Sequence, residues 1–247
     1  MKYFVPDIHV LKDSDLESGF VEKLGGRPWG LEPSRWPLCK ECGKSQSFIA
    51  QFAHHPIRID LGRDKRMLFV FQCNHDPGMC STWEGDSGSN ACFVLEPEEL
   101  KNIVCSLPSD NPILEREVYI VDWVERDDGV SSSDAALFYD DEKLFSLPES
   151  TANAVTTSTR LGSVPFWIQS PSEAPSGWDF IGQIDSTLSF LQASKYAEEW
   201  VRKDPECWEG RTHYAEGPNF GDGGIAYLFL KSETHSPPRG WFFWQCG

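Results

Sequence analysis

Four cysteines hold the clearest chemistry in this sequence. Cys39-Lys40-Glu41-Cys42-Gly43 is a Cys-x2-Cys-Gly knuckle, and Cys73 and Cys80 follow after a β-rich stretch. A Cys-x2-Cys turn sets two thiolates on one tight loop, spaced for a tetrahedral ion about 2.3 Å from each sulfur. The second pair is a looser Cys-x6-Cys, with Gly78 to let its loop fold back. The expectation is a structural zinc held by Cys39, Cys42, Cys73 and Cys80, with no position open to water. His75 competes as a donor. Buried unpaired thiols, disulfides and a redox dithiol are the alternatives. A redox Cys-x-x-Cys normally heads a helix after a strand, where the helix end lowers a thiol pKa. This one follows a crossing rich in Pro and Trp, which weighs against that reading. Cys92, Cys105 and Cys207 read as core residues.

Other candidate chemistry is weaker. Gly221-Asp222-Gly223-Gly224 has the glycines of a phosphate loop, but a strand follows it rather than a Lys and a helix, so it reads as a hairpin or bulge loop. His54-His55 and Asp140-Asp141-Glu142 could be pictured as a metal or acid–base set, but nothing in the sequence places them together. No Gly-x-Ser-x-Gly, His-Glu-x-x-His or Walker motif occurs. The sequence therefore reads as non-enzymatic.

The elements that position these residues recur. Lys23-Leu24-Gly25-Gly26-Arg27-Pro28, Phe48-Ile49-Ala50-Gln51-Phe52 and Leu68-Phe69-Val70-Phe71-Gln72-Cys73 have counterparts in the same order. These are Arg160-Leu161-Gly162-Ser163-Val164-Pro165, Phe180-Ile181-Gly182-Gln183-Ile184 and the β-rich runs Tyr227–Leu230 and Phe242–Cys246. Cys246 then stands in the place of Cys73. Chance rarely keeps three blocks in order, so the expectation is a duplication. Residues 1–125 form a first half holding the zinc knuckle, 126–159 a linker and 160–247 a second half, with a cleft between the halves. Gln51 and Gln183 occupy equivalent places, and an amide in an apolar strand must be satisfied, so each is expected to bond the backbone of its own Gly-x-x-Pro crossing. Helices are expected near 15–24, after Pro97 with Leu100, Ile103, Val104 and Leu107 at helical spacing, and near 187–203. The fold class expected is α+β, mostly antiparallel β, as two pseudo-repeat halves packed together.

The chain has 247 residues, 40% of them hydrophobic and 10 of them Trp, enough for a substantial core. No apolar run approaches the length of a membrane span, and the charged start does not read as a secretory signal. With eight cysteines on a chain of this size, reduced thiols in a cytoplasmic setting are the expectation. The net charge of −16 repels nucleic acid and anionic lipid and attracts basic partners. Eleven acids against two arginines fall between residues 110 and 142, interleaved with aromatics. Such a run is either a solvated face or a docking surface. In the docking reading the partner-binding residues are Glu115, Glu117, Asp122, Trp123, Glu125, Asp127, Asp128, Asp140, Asp141 and Glu142.

At Leu24-Gly25-Gly26-x-Pro28, Trp36-Pro37, Phe48-Ile49-Ala50-Gln51, Gly221-Asp222-Gly223-Gly224 and Trp244-Gln245-Cys246, the sequence resembles the bacterial YwqG-like family, whose biochemical function is largely undefined. The match spans most of the chain. The first half, to about residue 105, also resembles the programmed-cell-death-2 family of ribosomal-protein chaperones. There a Gly-Gly-x-Pro, a Cys-x-x-Cys-Gly, a Phe-led Gln block and a Leu-Phe-x-Phe-x-Cys follow in the same order. Neither resemblance implies a known catalytic set. The functional expectation is a non-catalytic acidic module that sequesters a basic protein, as an immunity protein neutralising a toxin. The alternatives are a chaperone of a basic ribosomal protein, and a small-ligand receptor or enzyme using the inter-half cleft.

Overall fold

A computed structural model describes residues 1–9, 22–190, 214–233 and 236–247. Ten strands form one antiparallel sheet: β1 (Lys2–His9), β2 (Lys23–Leu24), β3 (Ser47–Ala53), β4 (Met67–Gln72), β5 (Asn90–Leu95), β6 (Val118–Asp127), β7 (Arg160–Gly162), β8 (Asp179–Asp185), β11 (Ile225–Lys231) and β12 (Arg239–Gln245). Their order is β12-β11-β8-β7-β1-β6-β2-β3-β4-β5. β9 (Thr187–Ser189) and β10 (Tyr214–Glu216) pair separately. The sheet curls until its two ends meet. Asn90 Nδ2 donates to Phe242 O at 3.3 Å, and a Cβ added to Gly240 would lie 2.6 Å from Cys92 Sγ. The result is a nearly closed, barrel-like all-β fold.

The α+β expectation is therefore overturned. Among the described residues the α-helices are α1 (Asp141–Ser146) and α2 (Glu149–Ala152), both within the expected linker. The helix expected after Pro97 is irregular, for a tertiary reason. Beyond a single turn at Glu96–Leu100, N–H groups pair with a distant crossing instead: Lys101 N donates to Gly30 O and Cys105 N to Pro28 O, each at 2.8 Å. Ile103 and Val104, expected to face inward, are 49% and 40% exposed. Residues 23–24 and 187–189 of the other two expected helices are strand, and the rest of them lies largely outside the described residues. No helix among the described residues is long and apolar enough to cross a membrane.

Strand pairing repeats residue by residue. β2 meets β3 with Lys23 opposite Gln51 and Leu24 opposite Ala50, and β7 meets β8 with Arg160 opposite Gln183 and Leu161 opposite Gly182. Each following pair is irregular at the matching point, between Phe48 and Ala50 and between Leu228 and Phe229. The register sets β11 against β4 and β12 against β5, so Cys246 is not the counterpart of Cys73. Lys231 takes that place, one residue beyond the Gln72/Leu230 pair.

The polar anchors repeat as well. Gln51 Oε1 accepts from Trp29 N at 2.8 Å, and Gln183 Oε1 from Phe166 N at 2.9 Å, each the residue after the crossing proline. The expected glutamine role is what the structure shows. Lys23 Nζ donates to Arg27 O at 2.8 Å, and Arg160 Nη2 to Val164 O at 2.5 Å, four residues on in both cases. Both cations are buried beside a carboxylate, Lys23 against Glu117 and Arg160 near Asp128. Burial holds the Arg160 guanidinium down at about 10, against the pull of Asp128. The crossing needs glycine at residue 25, where φ is +62° and a Cβ would lie 2.0 Å from Arg116 O.

Alternation then builds three layers. Leu68 and Val70 of β4 and Ala226, Leu228 and Leu230 of β11 point into one shared interior with Phe52, Phe220 and Phe242. The opposite faces are covered by loops: Phe69 and Phe71 pack with Trp36 and Leu31, and Tyr227 and Phe229 pack with Phe243 and Trp167. Strands buried on both faces read as unbroken apolar runs. Where the sequence suggests a cleft between halves, the described residues place packed side chains from both halves.

Replacing Gln183 tests the anchor. Its Nε2 reaches the carbonyls of Thr156, Thr157 and Ser158, at 3.0–3.2 Å. Gln183→Ala should cost roughly 1–3 kcal/mol, because it removes these bonds and the one from Phe166 N, all made by a fully buried amide. Urea denaturation measures it, and a midpoint equal to that of the wild type would contradict the anchoring role.

Candidate metal centre

The knuckle precedes β3. Cys39 N donates to Lys44 O at 2.8 Å and Gly43 N to Cys39 O at 2.9 Å, closing a tight turn that carries Cys42. Cys73 directly follows β4, and its N–H donates to Ser89 O at 2.8 Å. Cys80 sits in the loop between β4 and β5. Glu41 joins the two parts: its Oε1 accepts from Ser81 N at 2.9 Å and from Ser89 Oγ at 2.6 Å. Lys40 N adds a bond to Gly88 O at 3.1 Å.

This brings together the sulfurs of Cys39, Cys42, Cys73 and Cys80, all within 4.8 Å of one another. Cys42 Sγ and Cys73 Sγ are 3.6 Å apart. In a tetrahedron with metal–sulfur bonds of about 2.3 Å, sulfurs stand about 3.8 Å apart, so the set is compatible with a metal ion. None of the four forms a disulfide. Cys39, Cys73 and Cys80 are buried and Cys42 is exposed. His75, the competing donor, is exposed and outside the cluster.

The thiols differ in their proton affinity. Burial opposes the Cys39 thiolate, but hydrogen bonds from Ser89 and from the backbone at Cys42 and Glu41 outweigh it and bring the pKa down to about 7. Burial pushes Cys80 up to about 12, and neighbouring Cys39 and Cys42 add to the rise. Cys73 is raised further, again by burial first. Four crowded thiols cannot all ionise alone, whereas a bound cation stabilises them as thiolates together.

The acidic run lies elsewhere, and many of its members have partners within the chain. Glu117 pairs with Lys23, Glu125 with Lys2 at 2.7 Å, and Asp140 with Lys143 at 2.8 Å while also capping α1. Asp128 is buried against Arg160 and Ser163 and bonds the Met1 amino group, which Asp127 also pairs with. Asp141 accepts from Ser170 Oγ. Trp123 is half-buried, its Nε1 donating to Glu22 at 2.9 Å beneath Arg58. Asp122 and Glu142 are exposed. His54 and His55 accept from loop backbone at Leu61 and at Ile57 and Arg58, which gives them a turn-closing role.

Glu115 belongs to an arrangement that sequence reasoning missed. Gln72 Nε2 donates to Asn74 Oδ1 at 2.9 Å, and Asn74 Nδ2 donates to Glu115 at 2.5 Å. Burial, and to a lesser degree the nearby Glu216 charge, push Glu115 up to about 7 against the bond from Asn74. In the sequence Glu115 is one acid of a run, and only the fold sets it beside residues 74 and 216. Protein-family models give no match to this chain, and neither do the curated proteins.

A carboxyl raised in the folded state stabilises the fold fully below its unfolded pKa, and that contribution is lost as pH rises through the folded value. The stability of the wild type relative to Glu115→Gln should thus fall between about pH 4.5 and the Glu115 value of about 7. Denaturant titrations across this range measure the difference; a flat one contradicts the assignment.

Proposed function

We propose that the chain is a non-catalytic, zinc-stapled module that captures a basic protein. The observation that carries the reading is the charge of −16, together with the position of exposed acids on β6. Asp122, Glu125 and Asp127 are exposed there, next to Val121 at 40% exposure. Surface potentials of this sign steer cationic partners into encounter, and exposed apolar residues then supply buried contact. Exposed acids of the run remain open to a partner even where they also form surface ion pairs, as Glu125 does with Lys2 and Asp127 with the Met1 amino group.

The ion in this reading is Zn²⁺, and its role is structural. Four thiolates suit zinc by softness and by tetrahedral number, and a filled ligand set leaves no site for an activated water. The metal ties the knuckle to the loop leaving β4, and so joins the crossing over the first half to the sheet beneath it.

The partner in this reading is a cationic toxin, with the chain as its immunity protein; the resemblance over most of the chain to a bacterial family supports it. A ribosomal protein is the second reading, favoured by the four clustered cysteines of the half that resembles the chaperone family. Affinity capture from the native host, followed by association kinetics with the captured protein, decides between them. The association rate should fall about tenfold or more on going from low to high salt. An acidic partner, or a rate indifferent to salt, refutes the reading.

Two measurements address the metal. Protein purified without added zinc should carry about one zinc per chain, and Cys73→Ser should lose it. Chelation should lower the melting temperature and speed amide exchange in residues 36–92, because metal-binding energy here is folding energy. A metal-free chain with unchanged exchange would remove zinc from the account.

A further inference from the structure

We propose that the pocket formed by Asn74, Pro77, Ile113, Glu115, Glu216 and Asn219 receives one lysine or arginine side chain of the basic partner, an inference that rests on the binding reading above. The pocket has a volume of about 230 Å³, and Arg116 and Gly217 complete its wall. Residues before and within the acidic run form one side, and the end of β10 with the loop leading to β11 forms the other.

A buried amide behind the lining holds its polar groups in place. Gln72 is 2% exposed, and its Nε2 donates to Asn74 Oδ1 at 2.9 Å and to Asn219 O at 2.7 Å. Those bonds tie the two walls together and turn the Asn74 amide nitrogen toward Glu115, at 2.5 Å. The lining itself carries two carboxyl groups, Glu115 and Glu216. These two carboxyl groups favour an occupant that brings N–H donors and positive charge. The charge acting on Glu115 within the chain is that of Glu216, of its own sign.

The rim selects the shape of that occupant. Pro77 and Ile113, the latter 49% exposed, offer apolar surface above the acids. A cation on a flexible alkyl stem satisfies both zones: methylenes lie along Pro77 and Ile113 while the head reaches the carboxylates. A metal ion or a compact amine would leave the apolar rim unused. A folded loop exceeds the volume.

The test uses the full chain with acetyl-Gly-Lys-Gly-amide, its arginine and norleucine analogues, and poly-L-lysine, followed by ¹⁵N NMR titration. Both cationic peptides should move the Asn74 side-chain amide and the Gly217 amide saturably, and the norleucine peptide should not. Glu115→Gln and Glu216→Gln should each weaken binding about tenfold, and Ile113→Ser should weaken it less. Cooperative melting and a wild-type-like ¹⁵N fingerprint away from the pocket show that these variants fold. If poly-L-lysine binds the wild type and the doubly substituted chain alike, the pocket assignment falls and the acidic-surface reading stands. If poly-L-lysine fails to bind at low salt, both fall.

Discussion

A glutamine in the middle of an apolar strand must bond something, and the chain's architecture follows from what it bonds. Gln51 and Gln183 each hold the backbone just past a proline crossing, at 2.8 and 2.9 Å. Each crossing is also held by a buried cation, Lys23 or Arg160, which reaches a carbonyl four residues on. These bonds form in a setting with little competing water, where an unmade bond is expensive. They fix the loops that cover the outer aromatic clusters, and the first of those loops leads into the Cys39–Cys42 turn. Without this anchoring, the outer faces of β4 and β11 would lie open.

The two copies have diverged in what they add to this frame. The first crossing continues into the Cys39–Cys42 turn, and its loop after β4 returns two more thiols to the same point. The second crossing is covered by aromatic packing instead, with Trp167, Tyr227 and Phe243 in contact. One copy gathers four thiols, and the other buried ring area, beside a similar loop over a similar strand pair.

Much of this was legible from local pattern. The Lys23 and Arg160 blocks, the glutamines and the cysteine spacing are short motifs whose partners follow from residue type. What was not legible depends on pairing at long range. Leu100, Ile103, Val104 and Leu107 have helical spacing, yet the N–H groups of Lys101 and Cys105 go to Gly30 and Pro28. Tyr227–Leu230 and Phe242–Cys246 both match the template of β4, and only strand register shows that β11 is the counterpart. The acids of 110–142 looked like one face. Their partners Lys2, Lys23 and Arg160 come from distant segments, so several of them serve the fold.

The seam where β5 reaches β12 has a wider consequence. A sheet that stops short of closure ends in two strands whose unpaired backbone groups can template a second chain. Here each end shields the other: Gly240 lies so close over Cys92 that even a methyl group would collide with its sulfur. Glycine at that position therefore acts as a guard against edge-to-edge growth, and a larger residue would pry the rims apart and expose both to a neighbouring molecule.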